Sequence, residues 1–201
     1  MAGRIWSVVL GERWYSHHGN HKQQSTRGVV APGANNHPVL RGIKNGEIWG
    51  STDVYGVRLP LPGDTQPLVL GQVIDRTGEF DENDLFFGLR PSDDKVALES
   101  GKDKYNPNEP MMPIVWTKSY QLAGGQKGRS LTSTIGASAD LTNEGVRRIL
   151  VNASYWLLEI DVPTKAKVDL IGNYQPSPYS FHKEEGYWQS KNLRVADFVS
   201  H

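Results

Sequence analysis

The feature that most limits the fold of this chain is the near-continuous apolar run of residues 67–74, PLVLGQVI, which lies between turn residues. Such a run is typical of a β-strand buried on both faces, because polar and apolar residues do not alternate. Residues 112–119, MPIVWTKS, repeat the pattern, and residues 28–31, GVVA, form a shorter run that ends at a Pro-Gly turn. Residues 129–135, RSLTSTI, are rich in β-branched side chains and predict a hairpin with the second run. Strands buried on both faces occur chiefly in parallel sheets covered by helices, so the sequence predicts an α/β fold.

Helices to cover such a sheet are few. The strongest helix pattern begins at Thr142 or Asn143, either of which can cap the helix with a side-chain oxygen. Residues 4–13 predict a second, weaker helix. Because parallel strands need a crossover connection, usually a helix, the shortage indicates that the fold begins upstream of Met1. The apolar stripe of the stronger helix recurs at helical spacing, at Val146, Ile149, Leu150, Ala153 and Leu157.

The chain is predicted to be one domain over residues 1–201, with two irregular parts. Residues 75–110 are acidic and contain several glycines and asparagines, which predicts a long loop that leaves the body of the domain and returns to it. Residues 168–171 are a candidate edge strand. Prolines and scattered aromatic residues over residues 172–201 predict an irregular tail laid over the body of the domain.

Composition excludes several classes of function. Lysine and arginine total 22, as do aspartate and glutamate, so the cationic surplus that nucleic-acid binding requires is missing. The 201 residues include no cysteine, which excludes thiolate metal sites and the thiol chemistry of glutamine amidotransferases. No apolar run is long enough to span a membrane. As written, the chain is predicted to be cytoplasmic, although an export signal could lie upstream of Met1. The sequence is also compatible with a homo-oligomer.

Residues 14–24, WYSHHGNHKQQ, hold half of the six histidines and are the strongest candidate for chemistry. In a helix, His17 and His21 would be spaced i, i+4 and would present two imidazoles to one metal ion. The Gly-Asn pair between them favours a turn instead, in which His18 and His21 would converge. The candidate ligands of a divalent metal are therefore His17, His18 and His21. Proton transfer near neutral pH is the alternative chemistry, and an exposed polar loop is the alternative without function.

Carboxylates and aromatic residues elsewhere could complete a site. Glu47, Asp53 and Tyr55 lie on a stretch whose end a strand could bring toward the histidines, although a solvated face explains them as well. Trp116 and Lys118 end a buried strand, where α/β domains usually place ligand contacts. Trp116 fits the core better than it fits a ligand contact, whereas Lys118 needs a carboxylate partner or a ligand.

Several long strings of the sequence resemble a known family. They are HHGNHKQQSTRGVVAPGANNHPVLRGI, GEIWGSTDVYGVRLPLPGD, QPLVLGQV, PMMPIVWTKSY and GRSLTSTIGASADLTNEGVRRILVNASYWLL. Together they resemble the ThuA-like (trehalose-utilisation) family in its planctomycete-type form, from about Gly11 to about Tyr179. The resemblance implies a flavodoxin-like, class I glutamine amidotransferase-like three-layer sandwich that here lacks its N-terminal βα units. It also implies that the histidine segment faces a ligand cleft.

The family's histidine pattern carries over residue by residue. Its histidine–glutamine pair falls on His21 and Gln24, and His17 and His18 precede that pair. Its His-Pro turn falls on His37, which fits a plain surface turn equally well.

Two further parts of the family pattern lie later in the chain. The acidic position after the His-Pro turn falls on Glu47 or Asp53. The next motif, W-x-K/R-x-Y followed by GR-x-x-x-T-x-x-G, falls on Trp116, Lys118, Tyr120, Gly128, Arg129, Thr134 and Gly136. Many relatives have a histidine directly after the last glycine of this motif, where this chain has Ala137. This departure weakens the hypothesis that a histidine serves in an amidotransferase-type triad.

The resemblance implies a role in carbohydrate metabolism, with a sugar-modifying isomerase or hydrolase acting on trehalose or 3-keto-glycosides as the first hypothesis. His18 or His21 would then be the general acid or base. Glu47 or Asp53 would orient that histidine, and a divalent metal could polarise a carbonyl. The residues expected to bind the sugar are His17, Gln24, His37, Tyr55, Trp116 and Lys118.

Two other functions are compatible with the same sequence. One is a non-catalytic carbohydrate-binding module that uses Trp49, Tyr55 and Trp116 as stacking surfaces. The other is an inactive fragment of a larger gene.

Overall fold

The described residues, 2–178 and 184–194 of a computed structural model, form seven β-strands and three α-helices. None of the described helices is long and apolar enough to cross a membrane. The helices are α1 Ala2–Leu10, α2 Glu144–Leu157 and α3 Tyr187–Lys191, with short 3-10 helices at Pro38–Leu40 and Asp140–Thr142. The strands are β1 Ser16–His17, β2 Gln24–Val30, β3 Trp49–Gly50, β4 Tyr55–Gly56, β5 Gln66–Asp75, β6 Met112–Gln121 and β7 Lys127–Ser133.

Five strands form an antiparallel sheet in the order β3-β2-β5-β6-β7, and β1 and β4 form a separate two-stranded ribbon. In the centre of the sheet, β2 pairs with β5 from Gln24 opposite Asp75 to Val30 opposite Val69. The two sheets form a curled half-barrel. The expected flavodoxin-like, amidotransferase-like three-layer sandwich is therefore wrong, because every strand pair among the described residues runs antiparallel.

The apolar runs that suggested a parallel sheet have a different cause. Neighbouring residues of a strand point to opposite faces of the sheet, and on β7 they contact different helices. Ser130 Oγ donates to a backbone carbonyl of α1, whereas the Arg129 guanidinium packs over the ring of Trp156 in α2. The sheet is thus covered on both faces, and neighbouring residues of β5, Val73 and Ile74, are both buried. Antiparallel strands covered in this way produce the sequence pattern of a parallel sheet.

Most of the predicted helices and strands are present. Helix α2 begins at the predicted cap, where Asn143 Oδ1 accepts a hydrogen bond from Val146 N at 3.0 Å, and β6 and β7 form the predicted hairpin. The predicted edge strand at residues 168–171 is wrong. The carbonyl of Val168 accepts a hydrogen bond from Arg147 Nε of α2 instead of pairing with a strand.

The segment between β5 and β6, residues 76–111, contains isolated bridges but neither helix nor strand. Side-chain to backbone hydrogen bonds hold it against the sheet. Arg27 of β2 donates to two carbonyls of the loop at 2.7 and 2.8 Å. Asn108 accepts from the backbone N–H of Val73 at 2.9 Å and donates to its carbonyl at 3.1 Å.

The tail is described in two pieces, residues 172–178 and 184–194. The first piece is irregular and is held by Ser138, whose carbonyl accepts from Tyr174 Oη at 2.7 Å and whose hydroxyl donates to a tail carbonyl at 3.2 Å. The second piece contains α3. The rest of the predicted tail, including Tyr179, lies outside the described residues.

Candidate functional site

Three side chains of the β1–β4 region converge on one point. β1 and β4 pair with His17 opposite Tyr55, so the loop before β4, which carries Asp53, lies against the turn after β1. In that turn the backbone N–H groups of two consecutive glutamines donate to Asn20 O at 3.1 and 2.9 Å. The turn brings His21 to the same carboxylate that His17 contacts.

Asp53 is the centre of this cluster. Its side chain is 1% exposed, whereas the side chains of His17 and His21 are 43% and 37% exposed. Oδ2 of Asp53 lies 2.7 Å from Nδ1 of His17, and Oδ1 lies 2.9 Å from Nδ1 of His21. The two imidazole rings meet edge to face with centroids 5.2 Å apart. One buried carboxylate therefore orients two imidazoles that remain open to solvent.

The donor set of this cluster suits a divalent cation. One ligand atom from each of His17, His21 and Asp53 lies within 4.8 Å of the others. Zinc binds imidazole nitrogen and carboxylate oxygen at about 2.0–2.2 Å, so small side-chain rotations would contract these atoms onto one ion. Three protein ligands on the open side of a site leave a coordination position for water or substrate, as in catalytic zinc centres.

The same contacts also suit proton transfer. A neutral imidazole that donates its Nδ1 proton to a carboxylate keeps Nε2 as an acceptor, and the carboxylate fixes that tautomer. Asp53 can fix the tautomer of both His17 and His21, because each of its oxygens faces a different ring.

His18 lies next to His17 in sequence but does not join the cluster. Its ring is buried, with Nε2 2.8 Å from Pro107 O, and its backbone N–H donates to Val54 O at 2.8 Å. Burial lowers the pKa of His18, against a smaller opposing effect of the hydrogen bond to Pro107. His18 anchors the turn, and the site combines His17 and His21 with Asp53 in place of the predicted third histidine.

A buried polar network holds the turn from its other side. Gln24 Oε1 accepts from Asn20 N at 2.7 Å and lies 3.1 Å from Ser100 Oγ. Gln24 Nε2 donates to Asp75 Oδ1 at 2.8 Å. Ser100 Oγ also lies 2.9 Å from His18 O. The amide of Gln24, predicted from the sequence to bind substrate, is thus engaged inside the protein.

The loop before Asp53 is held by Asp140, a buried residue that sequence reasoning missed. Its carboxylate accepts from Thr52 Oγ1 at 2.7 Å and from Thr52 N at 3.3 Å, and from two backbone N–H groups of the preceding turn. Burial raises the pKa of Asp140, while these hydrogen bonds lower it. Gly50 permits the approach, because a Cβ there would lie 2.6 Å from Asp140 Oδ1. The only hint in the sequence is an aspartate just before a strong helix pattern, which ordinarily indicates a cap.

Two aromatic side chains form a wall beside His17. The ring centroid of Tyr55 lies 5.5 Å from that of His17, and the centroid of Trp14 lies 5.8 Å from it, both edge-on. Burial raises the pKa of Tyr55, and the charges of Asp53 and Asp140 raise it further. Tyr55, predicted to bind substrate, therefore lies at the site.

Three other predicted residues are engaged elsewhere. Glu47 Oε2 accepts from Lys44 N at 2.7 Å within a local turn and is not brought to the histidines. Trp116 is fully buried and donates Nε1 to Leu10 O at 2.7 Å. Trp49 is also buried, packed edge-on against a phenylalanine. Neither tryptophan offers the exposed stacking surface that was predicted for a binding module.

His37 and Lys118 lie together in a separate cavity of about 340 Å³. Lys118 Nζ lies 3.2 Å from Asp64 Oδ1, which supplies the carboxylate partner that its position requires. His37 Nδ1 accepts from Val39 N at 3.3 Å, and burial and the charge of Arg129 lower the pKa of His37.

No family model, curated protein or solved structure matches this chain. A functional assignment therefore depends on the geometry of the site.

Proposed function

We propose that this protein is a carbohydrate-modifying enzyme whose reaction centre is a divalent cation held by His17, His21 and Asp53. The observation that carries the proposal is the buried Asp53 carboxylate, which lies 2.7 and 2.9 Å from the two imidazoles. Two imidazole nitrogens and one carboxylate oxygen are a ligand set that zinc and similar metals prefer. Trehalose or a 3-keto-glycoside is proposed as the class of substrate on the resemblance of the sequence to the ThuA-like family alone, since the flavodoxin-like fold that the same resemblance implied is wrong.

The residues of the site have distinct roles in this proposal. A cation held here supplies a polarised carbonyl or a bound water of lowered pKa. Asp53 keeps both imidazoles in a fixed orientation, and the exposed sides of His17 and His21 admit the substrate. Tyr55, whose ring centroid lies 5.5 Å from that of His17, is placed to donate a hydrogen bond from its phenol to a sugar oxygen.

Metal binding is the direct test of the centre. Calorimetric titration of metal-stripped protein with Zn²⁺ or Mn²⁺ is expected to show one site. The substitutions His21→Ala and Asp53→Asn are expected to weaken binding by more than about 100-fold, since loss of a mere outer-shell partner costs 10- to 100-fold. The matched control is His37→Asn, which keeps a capping acceptor and lies in a different cavity. Wild-type affinity in His21→Ala and Asp53→Asn would contradict the proposal.

Turnover of 3-keto-trehalose or 3-keto-glucose tests the reaction. Activity is expected to disappear with a chelator, to return with added metal, and to be absent in His21→Ala. A protein that binds both metal and sugar but converts neither substrate would contradict the enzymatic part and favour a binding module.

Metal-free acid–base catalysis by the same residues is a second candidate. It is favoured by the 2.7 and 2.9 Å separations between Asp53 and the two Nδ1 atoms, which are ordinary hydrogen-bond lengths. Activity that persists in chelator but is lost in Asp53→Asn would decide for this candidate.

A further inference from the structure

A cavity of about 690 Å³ lies between the end of the histidine turn and helix α3. Lys22, the residue after His21, lines one side of it. Ser138 lines another side and lies two residues before Asp140, whose carboxylate holds Thr52. The cavity is thus connected through the chain to the turn and the loop that carry the site, whereas His17, His21 and Asp53 are not among the described residues that line it. Its volume lies in the range of about 300–1,000 Å³ that is usual for small-molecule sites.

Aromatic rings line this cavity together with charged groups. Trp188 of α3 is 60% exposed, and its ring meets Tyr187 edge to face with centroids 5.0 Å apart. Lys22 Nζ lies 4.4 Å from the centroid of the Phe87 ring, and Lys191 Nζ lies 4.9 Å from that of Tyr187. The carboxylate of Glu82 and the hydroxyls of two serines complete the polar lining.

This combination suits a ligand with an apolar face and a hydrogen-bonding edge. A pyranose ring has that form, because its C–H groups present a flat apolar face while its hydroxyls project around the edge. The indole of Trp188 offers a large rigid surface for the apolar face. The ammonium groups of Lys22 and Lys191 can donate to sugar hydroxyls, and Glu82 can accept from them.

We infer that this cavity binds a sugar ring that stacks on Trp188. The inference rests on the proposed function for the class of substrate, but it does not require the cation.

Calorimetric titration with trehalose and with methyl α-glucopyranoside, without added metal, tests the inference. The wild type is expected to bind both sugars, and Trp188→Ala is expected to lose at least about 10-fold in affinity, comparable to the loss of one aromatic stacking partner for a nucleobase. Sorbitol, an open-chain polyol without a ring face, is expected not to bind. The matched control is Trp6→Ala, because Trp6 lies on α1 and is equally exposed, at 61%.

The outcomes separate this inference from the proposed function. Equal trehalose affinity in wild type and Trp188→Ala, binding of sorbitol as strong as that of trehalose, or no trehalose binding by the wild type overturns the inference. Trehalose binding through Trp188 in a protein that binds no metal and shows no turnover supports the cavity while the proposed function fails. Thermal unfolding of Trp188→Ala, expected to match wild type because the side chain is exposed, confirms that the variant is folded.

Discussion

Gly19 lies so close to the candidate site that a single added methyl group there would contact Asp53. A Cβ at this position would lie 3.2 Å from Asp53 Cβ and 3.4 Å from Val54 N. The first distance is tighter than ordinary van der Waals contact, so Asp53 would have to shift by a few tenths of an ångström.

We predict that Gly19→Ala weakens Zn²⁺ binding by about 10-fold, because Asp53 is displaced from the two imidazoles, within the range seen when the support of a metal ligand is lost. Calorimetric titration measures this effect. Gly78→Ala is the matched control, since a Cβ there would meet only Gly88 O, at 3.8 Å. Unchanged affinity in Gly19→Ala would show that the carboxylate is not held as tightly as its contacts imply.

Sequence reasoning found the histidines of the site by a different geometry from the one observed. Helical spacing pairs His17 with His21, whereas in the structure a strand end and a turn bring them to Asp53. Asp53 was a candidate, but nothing in its neighbourhood in sequence indicates that its carboxylate is buried between two rings. That burial depends on a side-chain contact between residues 36 apart in the chain, His17 and Asp53, which local patterns do not report.

At the scale of elements, the loop before β4 depends on the turn before α2. Thr52 Oγ1 donates to Asp140 Oδ2 at 2.7 Å, and Thr52 O accepts from Thr26 Oγ1 of β2 at 2.7 Å. The loop is therefore fixed from two sides, and Asp53 follows directly on the fixed residue.

We predict that Thr52→Val, which removes this donor but keeps the shape of the side chain, lowers the free energy of unfolding by about 1–3 kcal/mol, because the buried Asp140 carboxylate loses a hydrogen bond. It is also expected to weaken metal binding. Urea denaturation and Zn²⁺ titration measure the two effects. Thr52→Ser keeps the hydroxyl and serves as control. Equal values for Thr52→Val and Thr52→Ser would mean that Asp140 does not position the loop.

At the scale of the whole molecule, the positions of the strands follow from the sequence but their directions do not. The runs at residues 67–74 and 112–119 predict strands that the structure contains, as β5 and β6. An apolar run reports burial, which helices and the segments between strands together produce here on both faces of an antiparallel sheet. Direction is set by the connections, and the long irregular segment between β5 and β6 carries no pattern from which direction could be inferred.

We predict a gradient of amide hydrogen exchange that follows this sheet order. β5 is hydrogen-bonded to β2 on one side and to β6 on the other, so its amides are expected to exchange only through global unfolding. Peptides from residues 77–92 are expected to exchange orders of magnitude faster, because local opening exposes them. Mass spectrometry of exchanged peptides measures both. Protection of residues 77–92 equal to that of β5 would contradict the described fold.

The hydrogen bonds that hold His18 have a consequence for protein engineering. Tyr105 Oη donates to His18 O, and Pro107 O contacts the imidazole of the same residue. The far part of the same loop, residues 77–83, is exposed throughout. A fluorophore or an affinity tag inserted into residues 77–83 would leave the histidine turn in place. An insertion between Tyr105 and Pro107 would break the hydrogen bonds that hold His18 and would disturb the neighbouring His17.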